Sequence, residues 1–296
     1  MLAVVGTIPE DGFPLVAGRV CLEKDRIHVG ERWVEVNRGT PALLAAAIKT
    51  GEVLGLPFPC GYLAGDIGHG DGSRRLYEHL VKILPDSSFS VVAFHYLHPD
   101  VDRHNKVLFA VEEMSPRPIL IADAGFMYAA KMSGQSGAYE LFTPDAGELA
   151  FLADEEAPHP FYTRGFILHD ENRIPDLISR AYEHKNAARY LLVKGSQDHV
   201  ASGEQVHAVI DNPADEALEA IGGTGDTLTG IVSALIASGM ETLEAAILAA
   251  RINRQAGHYT APNPSSKVVD LIEQIPKAMK EVWKKKDKPH GSRQAQ

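Results

Sequence analysis

The sequence predicts an α/β protein in three layers, with a mostly parallel central sheet covered by helices on both faces. Short, continuous apolar runs recur along the chain, as expected of strands buried on both sides. Segments with the helical apolar period separate most of them. Nearly every run also ends on a polar residue, and in such sheets ligands sit beyond the carboxyl ends of the strands.

Taken in order, residues 1–40 stand apart. Arg26-Ile-His-Val and Arg32-Trp-Val-Glu-Val alternate with the strand period, so this stretch is expected to form a small antiparallel element or lid. The α/β domain is expected over 41–283. Its first run, Gly61-Tyr-Leu-Ala-Gly65, ends at Asp66 and precedes a helical face of Leu76, Leu80, Ile83 and Leu84. Phe89–Phe94 ends at His95, Ile119–Ala122 at Asp123 and Leu141–Pro144 at Asp145. Ile174, Leu177, Ile178, Ala181 and Tyr182 share a second helical face, followed by Tyr190–Val193, which ends at Lys194. His199–His207 reads as a hairpin turning at Ser202-Gly203-Glu204. Leu228, Ile231, Val232, Leu235 and Ile236 mark a helix that Gly239 would close, and Leu243, Ile247 and Ala250 mark the next, over 241–257. The polar end, 284–296, is expected to be disordered.

Composition narrows the function classes. With 296 residues and 45% apolar content the chain can bury a large core. A net charge of −10 argues against a nucleic-acid or anionic-membrane surface but leaves room for a local phosphate site. Cys21 and Cys60 show no paired spacing, which fits a reducing compartment and disfavours a disulfide framework. The start, Met1-Leu-Ala-Val-Val-Gly, lacks the basic and long apolar regions of a signal peptide. No stretch reaches the ~18 apolar residues of a membrane span. The expectation is a cytoplasmic protein acting on a small molecule, with a homo-oligomer left open.

The most informative stretch is Ile221-Gly222-Gly223-Thr224-Gly225-Asp226, opening directly into a helix. Glycines there let a ligand approach the backbone, and helix N-terminal amides favour an anion. A carboxylate does not suit a plain anion site. Asp226 instead fits a base that takes the proton of an attacking hydroxyl, while the amides of 222–225 hold a transferring phosphoryl group. A tight turn with a dipole-favoured carboxylate is the plainer alternative.

Other strand-end residues carry two readings each. Lys194 approaches phosphates or pairs with a carboxylate, because an unpaired ammonium on a buried strand is costly. Gly195 allows a close backbone approach. Asp145 and Glu148 have the spacing of a capping box, and equally of two carboxylates in the shell of Mg²⁺. Asp123 is a substrate-binding candidate or an Asx turn. Asp66 and Gly68, in the loop Gly65–Ser73, are candidates for the substrate pocket; the loop has neither a Walker A ending nor a dinucleotide fingerprint. His95 is a candidate substrate contact. With His98 and His104 it forms a cluster that lacks the partners of a zinc site.

Three motifs together carry a resemblance. Leu141-Phe-Thr-Pro-Asp-Ala-Gly-Glu-Leu-Ala-Phe-Leu152, Leu192-Val-Lys-Gly195 and Gly223-Thr-Gly-Asp226, in this order, resemble the C-terminal half of ribokinase-like kinases. Within that superfamily they are most similar to the ATP- or ADP-dependent NAD(P)H-hydrate dehydratases. Ile121-Ala-Asp-Ala124 is a looser match, and the resemblance extends from about Asp123 to about Ala261. It departs at Asp145-Ala146, where the family has His-Pro. The family's glycine-rich N-terminal segment has its nearest, weak counterpart in Gly39–Ala47.

The resemblance implies a ribokinase-like fold that uses ATP or ADP with Mg²⁺ and places the helix bearing Asn253 beside the nucleotide base. Read alone, Asn253 is a plain surface asparagine. The implied acceptor is the hydroxyl of hydrated NAD(P)H, and Asp226 is the implied base. A kinase of another small alcohol (a sugar, hydroxymethylpyrimidine or a hydroxyethylthiazole) is the alternative, followed by a non-catalytic nucleotide-binding protein.

Overall fold

The computed structural model describes residues 1–155, 173–263 and 265–286. It is a three-layer α/β sandwich. Six parallel strands form the centre of the sheet: β1 (Leu2–Ile8), β5 (Cys60–Gly65), β6 (Val91–His95), β7 (Ile119–Ala122), β8 (Leu141–Phe142) and β9 (Tyr190–Val193). Antiparallel strands extend it at both edges. β2 (Val16–Glu23), β3 (Arg26–Val29) and β4 (Arg32–Glu35) continue beyond β5, and β10 (Asp198–Ser202) and β11 (Gln205–Ile210) continue beyond β9. The order is β11-β10-β9-β8-β7-β6-β1-β5-β2-β3-β4.

Side chains of one strand alternate between two cores. Leu2 and Val4 of β1 enter the core under α1 (Thr40–Leu54), α7 (Thr224–Ala237), α8 (Thr242–Thr260) and α9 (Val268–Lys286). Ala3 and Val5 enter the opposite core, under α2 (Asp71–Ile83), α3 (Val101–Glu112), α4 (Ala124–Met132), α5 (Ala146–Ala153) and α6 (Ile174–Glu183). None of the described helices is long and apolar enough to cross a membrane.

Two boundaries differ from the sequence expectation. Residues 1–40 do not form a separate element, because β1 is a fully buried central strand and only β2–β4 make the antiparallel addition. Helix α9 reaches Lys286, into the segment expected to be a tail; residues 287–296 lie outside the described residues.

The sheet turns its connection direction between β1 and β6. The chain leaves β1 toward β5 on one side and returns to β6 on the other. Such a switch point opens a crevice at the carboxyl ends of the two strands. On the far side, α1 and α7 pack closely enough that a Cβ on Gly230 would lie 2.2 Å from the Leu43 carbonyl oxygen and 3.0 Å from Ala46 Cβ. Backbone cannot yield as a flexible side chain does. Gly230→Ala is therefore expected to push the helices apart and lower stability by about 1–3 kcal/mol, read from the urea midpoint. Because Gly230 lies one turn beyond Asp226, the same substitution should also loosen the site.

Candidate active site

A cavity of about 540 Å³ occupies the switch-point crevice. Thr7 lies at the end of β1 and Pro9 just after it, Tyr96 and His98 follow β6, and Ala124 and Tyr128 belong to α4. Arg38, Gly39 and Glu148 close the side nearest α7. Tyr96 has φ +53 and Ala124 has φ +50, a left-handed conformation that costs a non-glycine residue about 1–3 kcal/mol and gathers at functional sites. The Tyr96 ring is half exposed at the cavity.

Asp226 stands behind Gly39, on the first turn of α7, and is 7% exposed. Its Oδ2 accepts the Gly39 N–H at 2.5 Å, and His95 Nε2 lies 3.0 Å from its Oδ1. Burial pushes the Asp226 carboxyl up, but the His95 hydrogen bond and attraction, Lys194 and the Gly39 N–H together hold it below its ordinary value. The group is thus a carboxylate throughout the neutral range.

The glycines ahead of it meet the expected geometry for an anion. Gly223 precedes α7 with φ +99, a conformation that favours glycine, and no side chain among the described residues caps the helix. The first-turn amides have no acceptor within the helix itself. Thr224 and Gly225 continue this turn, and a Cβ on Gly225 would sit 3.4 Å from Lys194 Cδ. Gly222 lies against Arg38 in the same way, with Arg38 Cδ 3.7 Å from a Cβ built there. The phosphate-suited glycines and the cavity therefore share the Arg38–Gly39 wall.

Lys194 resolves toward the paired reading. Its Nζ is 2.9 Å from both oxygens of Asp123, a buried carboxylate that also accepts from the Thr229 hydroxyl (2.7 Å) and the Ala124 amide (2.8 Å). Asp123 also caps α4, so it is both an Asx-type start and an ion-pair partner. Burial disfavours the Lys194 ammonium, yet Asp123 and Glu148 hold its proton more tightly than usual. Gly195 is held by its N–H to Asp198 Oδ1 (3.2 Å), while Arg254 bonds Asp198 and the Gly195 and Ser196 carbonyls. Asn253 ties α8 to the start of α7: its Nδ2 donates to the Thr224 carbonyl at 3.0 Å and its Oδ1 accepts from Thr227 at 2.7 Å.

Asp145 and Glu148 form the reciprocal capping box. Glu148 N–H donates to Asp145 Oδ1 (2.7 Å) and Asp145 N–H to Glu148 Oε2 (2.9 Å). This occupies one oxygen of each, and the other Glu148 oxygen, Oε1, lies 3.4 Å from the Tyr128 hydroxyl that donates to it. Burial, with Asp123 and Asp145 nearby, raises the Glu148 carboxyl well above the ordinary carboxylate range despite Lys194. Such a group gains from a cation. Among the described residues no three His, Cys, Asp or Glu side chains converge on a metal position. Two carboxylates completed by water are what Mg²⁺ requires, so these residues fit that ion.

Two expected substrate contacts take other roles. Asp66 borders the cavity, but Oδ1 accepts from Gly68 and Gly70 N–H and Oδ2 from the amide and hydroxyl of Ser73. Its lone pairs are spent on shaping the loop, and Gly68 is presented to the cavity by that loop. His95 is 1% exposed and faces Asp226, so it is corrected from substrate contact to partner of the carboxylate. His104 is buried against Tyr139 and Ser133, apart from any metal cluster.

The sequence reading missed Thr7, Arg38, Thr40 and Tyr96. Ala3-Val-Val-Gly-Thr7 carried the same signal as the other strands, an apolar run ending on a polar residue. Gly39-Thr40-Pro41 carried the signal of a helix start.

The sandwich, the switch-point cavity and the glycine-opened helix with its carboxylate define a ribokinase-like α/β protein. Among solved structures, a ribokinase-like superfamily protein of Enterococcus faecalis V583 aligns with a TM-score of 0.55 at 15% identity, covering 95% of this chain and 87% of that one. Phosphofructokinase-2 of Escherichia coli aligns at 0.57 and 12% identity, covering 95% and 99%. Residues 99–277 match the family model described as NAD(P)H-hydrate dehydratase, and the chain belongs to that family.

An uncharacterized protein of Methanocaldococcus jannaschii is 42% identical over 243 residues, 82% of this chain and all of that one. A bifunctional NAD(P)H-hydrate repair enzyme of Pyrobaculum aerophilum is 28% identical over 82% of this chain, which spans 48% of its length. An ADP-dependent (S)-NAD(P)H-hydrate dehydratase of Cenarchaeum symbiosum is 31% identical over 53% of this chain and 50% of its own.

Proposed function

We propose that this chain dehydrates hydrated NAD(P)H at the expense of ADP or ATP. The observation that carries the reading is the buried carboxylate of Asp226 on the glycine-opened turn of α7, beside a cavity able to admit an acceptor. Family membership and the names of the relatives support the acceptor.

In this scheme Asp226 takes the proton of the hydrate's hydroxyl as its oxygen attacks the terminal phosphoryl group. The new O–P bond forms while the bond to the departing nucleotide breaks. Amides of residues 223–225 face the spreading phosphoryl charge, and Arg38 adds a cation on the same wall. Mg²⁺, when bound, neutralises phosphate charge; Asp145 and Glu148 are the residues that would hold it. The phosphate then leaves with the C–O electron pair, and loss of the neighbouring ring proton restores the dihydronicotinamide. The balance is hydrate plus nucleotide to NAD(P)H, shortened nucleotide, hydrogen phosphate and a proton. Tyr96 and Tyr128 line the cavity and give it aromatic surface on which an acceptor ring can rest.

A second reading, a kinase of another small alcohol, is favoured by one observation. Thr7, Arg38, Gly39, Tyr96 and His98 line the acceptor side and all precede residue 99, where the family match begins. Product identity separates the two. With Mg²⁺, hydrated NADH and either nucleotide, the dehydratase returns dihydronicotinamide absorbance and free phosphate in equal amounts. A stable phosphate ester, or no recovery with hydrated NADH, would reject it.

A further inference from the structure

Asp226 is gripped from two sides, and one grip comes from a side chain that the chemistry above does not use. The His95 ring lies at the carboxyl end of β6, 1% exposed and edge-on to Tyr96 at 4.3 Å between ring centroids. Its Nδ1 is 3.0 Å from Thr40 Oγ1, and that hydroxyl donates to the Thr7 carbonyl at 2.9 Å. The Thr7 hydroxyl in turn donates to the Tyr96 carbonyl at 2.6 Å. The end of β1, the end of β6 and the start of α1 are thus closed around the ring. The closure is tight: a Cβ on Gly6 would lie 2.4 Å from Thr40 Oγ1 and 2.6 Å from the His95 carbonyl oxygen.

A ring fixed in this way cannot swing to the acceptor. It presents Nε2 to Asp226 Oδ1 at 3.0 Å, with Asp123 Oδ2 farther away at 3.8 Å. An ionised carboxylate only accepts, so Nε2 carries the hydrogen. Lys194 is occupied by both oxygens of Asp123, which leaves Oδ1 of Asp226 to His95 and Oδ2 to the Gly39 amide. We propose that His95 is the positioning residue of this site: its Nε2–H, locked through Thr40 and Thr7, holds the Asp226 carboxylate in one orientation and as the anion. The lone pairs of Asp226 that remain are then fixed in direction for an acceptor hydroxyl. A base oriented by a third buried group is a general device of activated nucleophiles, and here it is built from parts of the chain 131 residues apart. This inference rests on Asp226 being the base.

The charged and titratable groups facing the His95–Asp226 pair are Asp123 from the end of β7, Lys194 from the end of β9 and Tyr96 beside the ring. Without His95, Lys194 and the Gly39 amide alone oppose the burial of Asp226. The acid limb of kcat/KM should then move to higher pH, by about 1–3 pH units for loss of a partner at this range.

The test uses His95→Gln, whose side-chain N–H can reach toward Asp226, and His95→Leu, which offers none. His95→Leu is expected to lower kcat about 10²-fold, the scale of a misoriented catalytic group, with the nucleotide KM within about twofold of wild type. His95→Gln should recover much of the loss, and Thr40→Val, which frees the ring, should show a smaller loss of the same kind. Wild-type turnover with unchanged kcat and acid limb in His95→Leu would overturn the proposal and leave the reading of the site intact.

A substrate-free measurement decides the matter even if His95→Leu does not fold or no acceptor turns over. The Asp226 carboxyl carbon, assigned with Asp226→Asn, is titrated by NMR in wild type and in His95→Ala, which leaves no donor facing Oδ1. A higher midpoint in the variant supports the coupling, and coincident midpoints refute it. Absence of turnover on hydrated NADH, by contrast, counts against the proposed reaction alone.

Discussion

Asp226→Asn is expected to leave nucleotide affinity near that of wild type and to lower turnover by about 10²–10⁴-fold, the usual contribution of a positioned general base. The substitution preserves size and still offers an oxygen to the Gly39 amide, so the turn at 222–225 keeps its shape. It removes the ability to take a proton. Nucleotide titration by calorimetry, alongside single-turnover phosphate release, separates the two effects. Full turnover in the variant would remove Asp226 from the chemistry. The pH dependence has a fixed sign. Because His95, Lys194 and the Gly39 amide hold the Asp226 carboxyl below its ordinary value, the wild-type base remains ionised through the neutral range and is lost only as the pH falls through that lowered value.

The largest stability effect is expected at Lys194. Lys194→Met keeps the stem and removes the ammonium, leaving Asp123 buried with the Thr229 hydroxyl, the Ala124 amide and, at 3.8 Å, His95. Asp226 and Glu148 also lose their nearby cation. Breaking a buried pair from one side costs about 3–5 kcal/mol, and the urea midpoint should fall accordingly without a change in slope. Adding Asp123→Asn should return a large part of the loss, since the stranded charge is then gone. A single variant as stable as wild type would show that water reaches Asp123 and that the pair is not structural.

The parts of the site legible in the sequence were those set by local pattern. A glycine-opened helix, a capping-box spacing and an apolar run ending on a charged residue each depend on neighbours within a few positions. Gly223, Asp226, Asp145, Glu148, Asp123 and Lys194 were therefore found as candidates, and five of the six parallel strands were read from their runs. Partnership was not legible. The Lys194–Asp123 pair spans 71 residues, and nothing local distinguishes a lysine facing phosphate from one facing a carboxylate.

The sequence makes His95 a candidate substrate contact because a strand-end position says that a side chain reaches the ligand edge, not which way the ring turns; the ring turns to Asp226. The first strand was missed for a different reason. Residues 16–35 interrupt the usual strand–helix alternation with an antiparallel excursion, so the preceding run was grouped with the excursion rather than with the sheet it centres.

That central placement of β1 bears on when the enzyme first exists during its own synthesis. Residues 2–8 leave the ribosome well before their two neighbours in the sheet, since β5 and β6 follow some 60 and 90 residues later. Gly39 must wait a further stretch of translation for its partner, since Asp226 follows it by 187 positions. With Asp226 as the proposed base, a nascent chain halted just before α7 has the central strands and the acceptor wall but lacks that carboxylate. The proposed site is complete only once α7 has packed against the first helix.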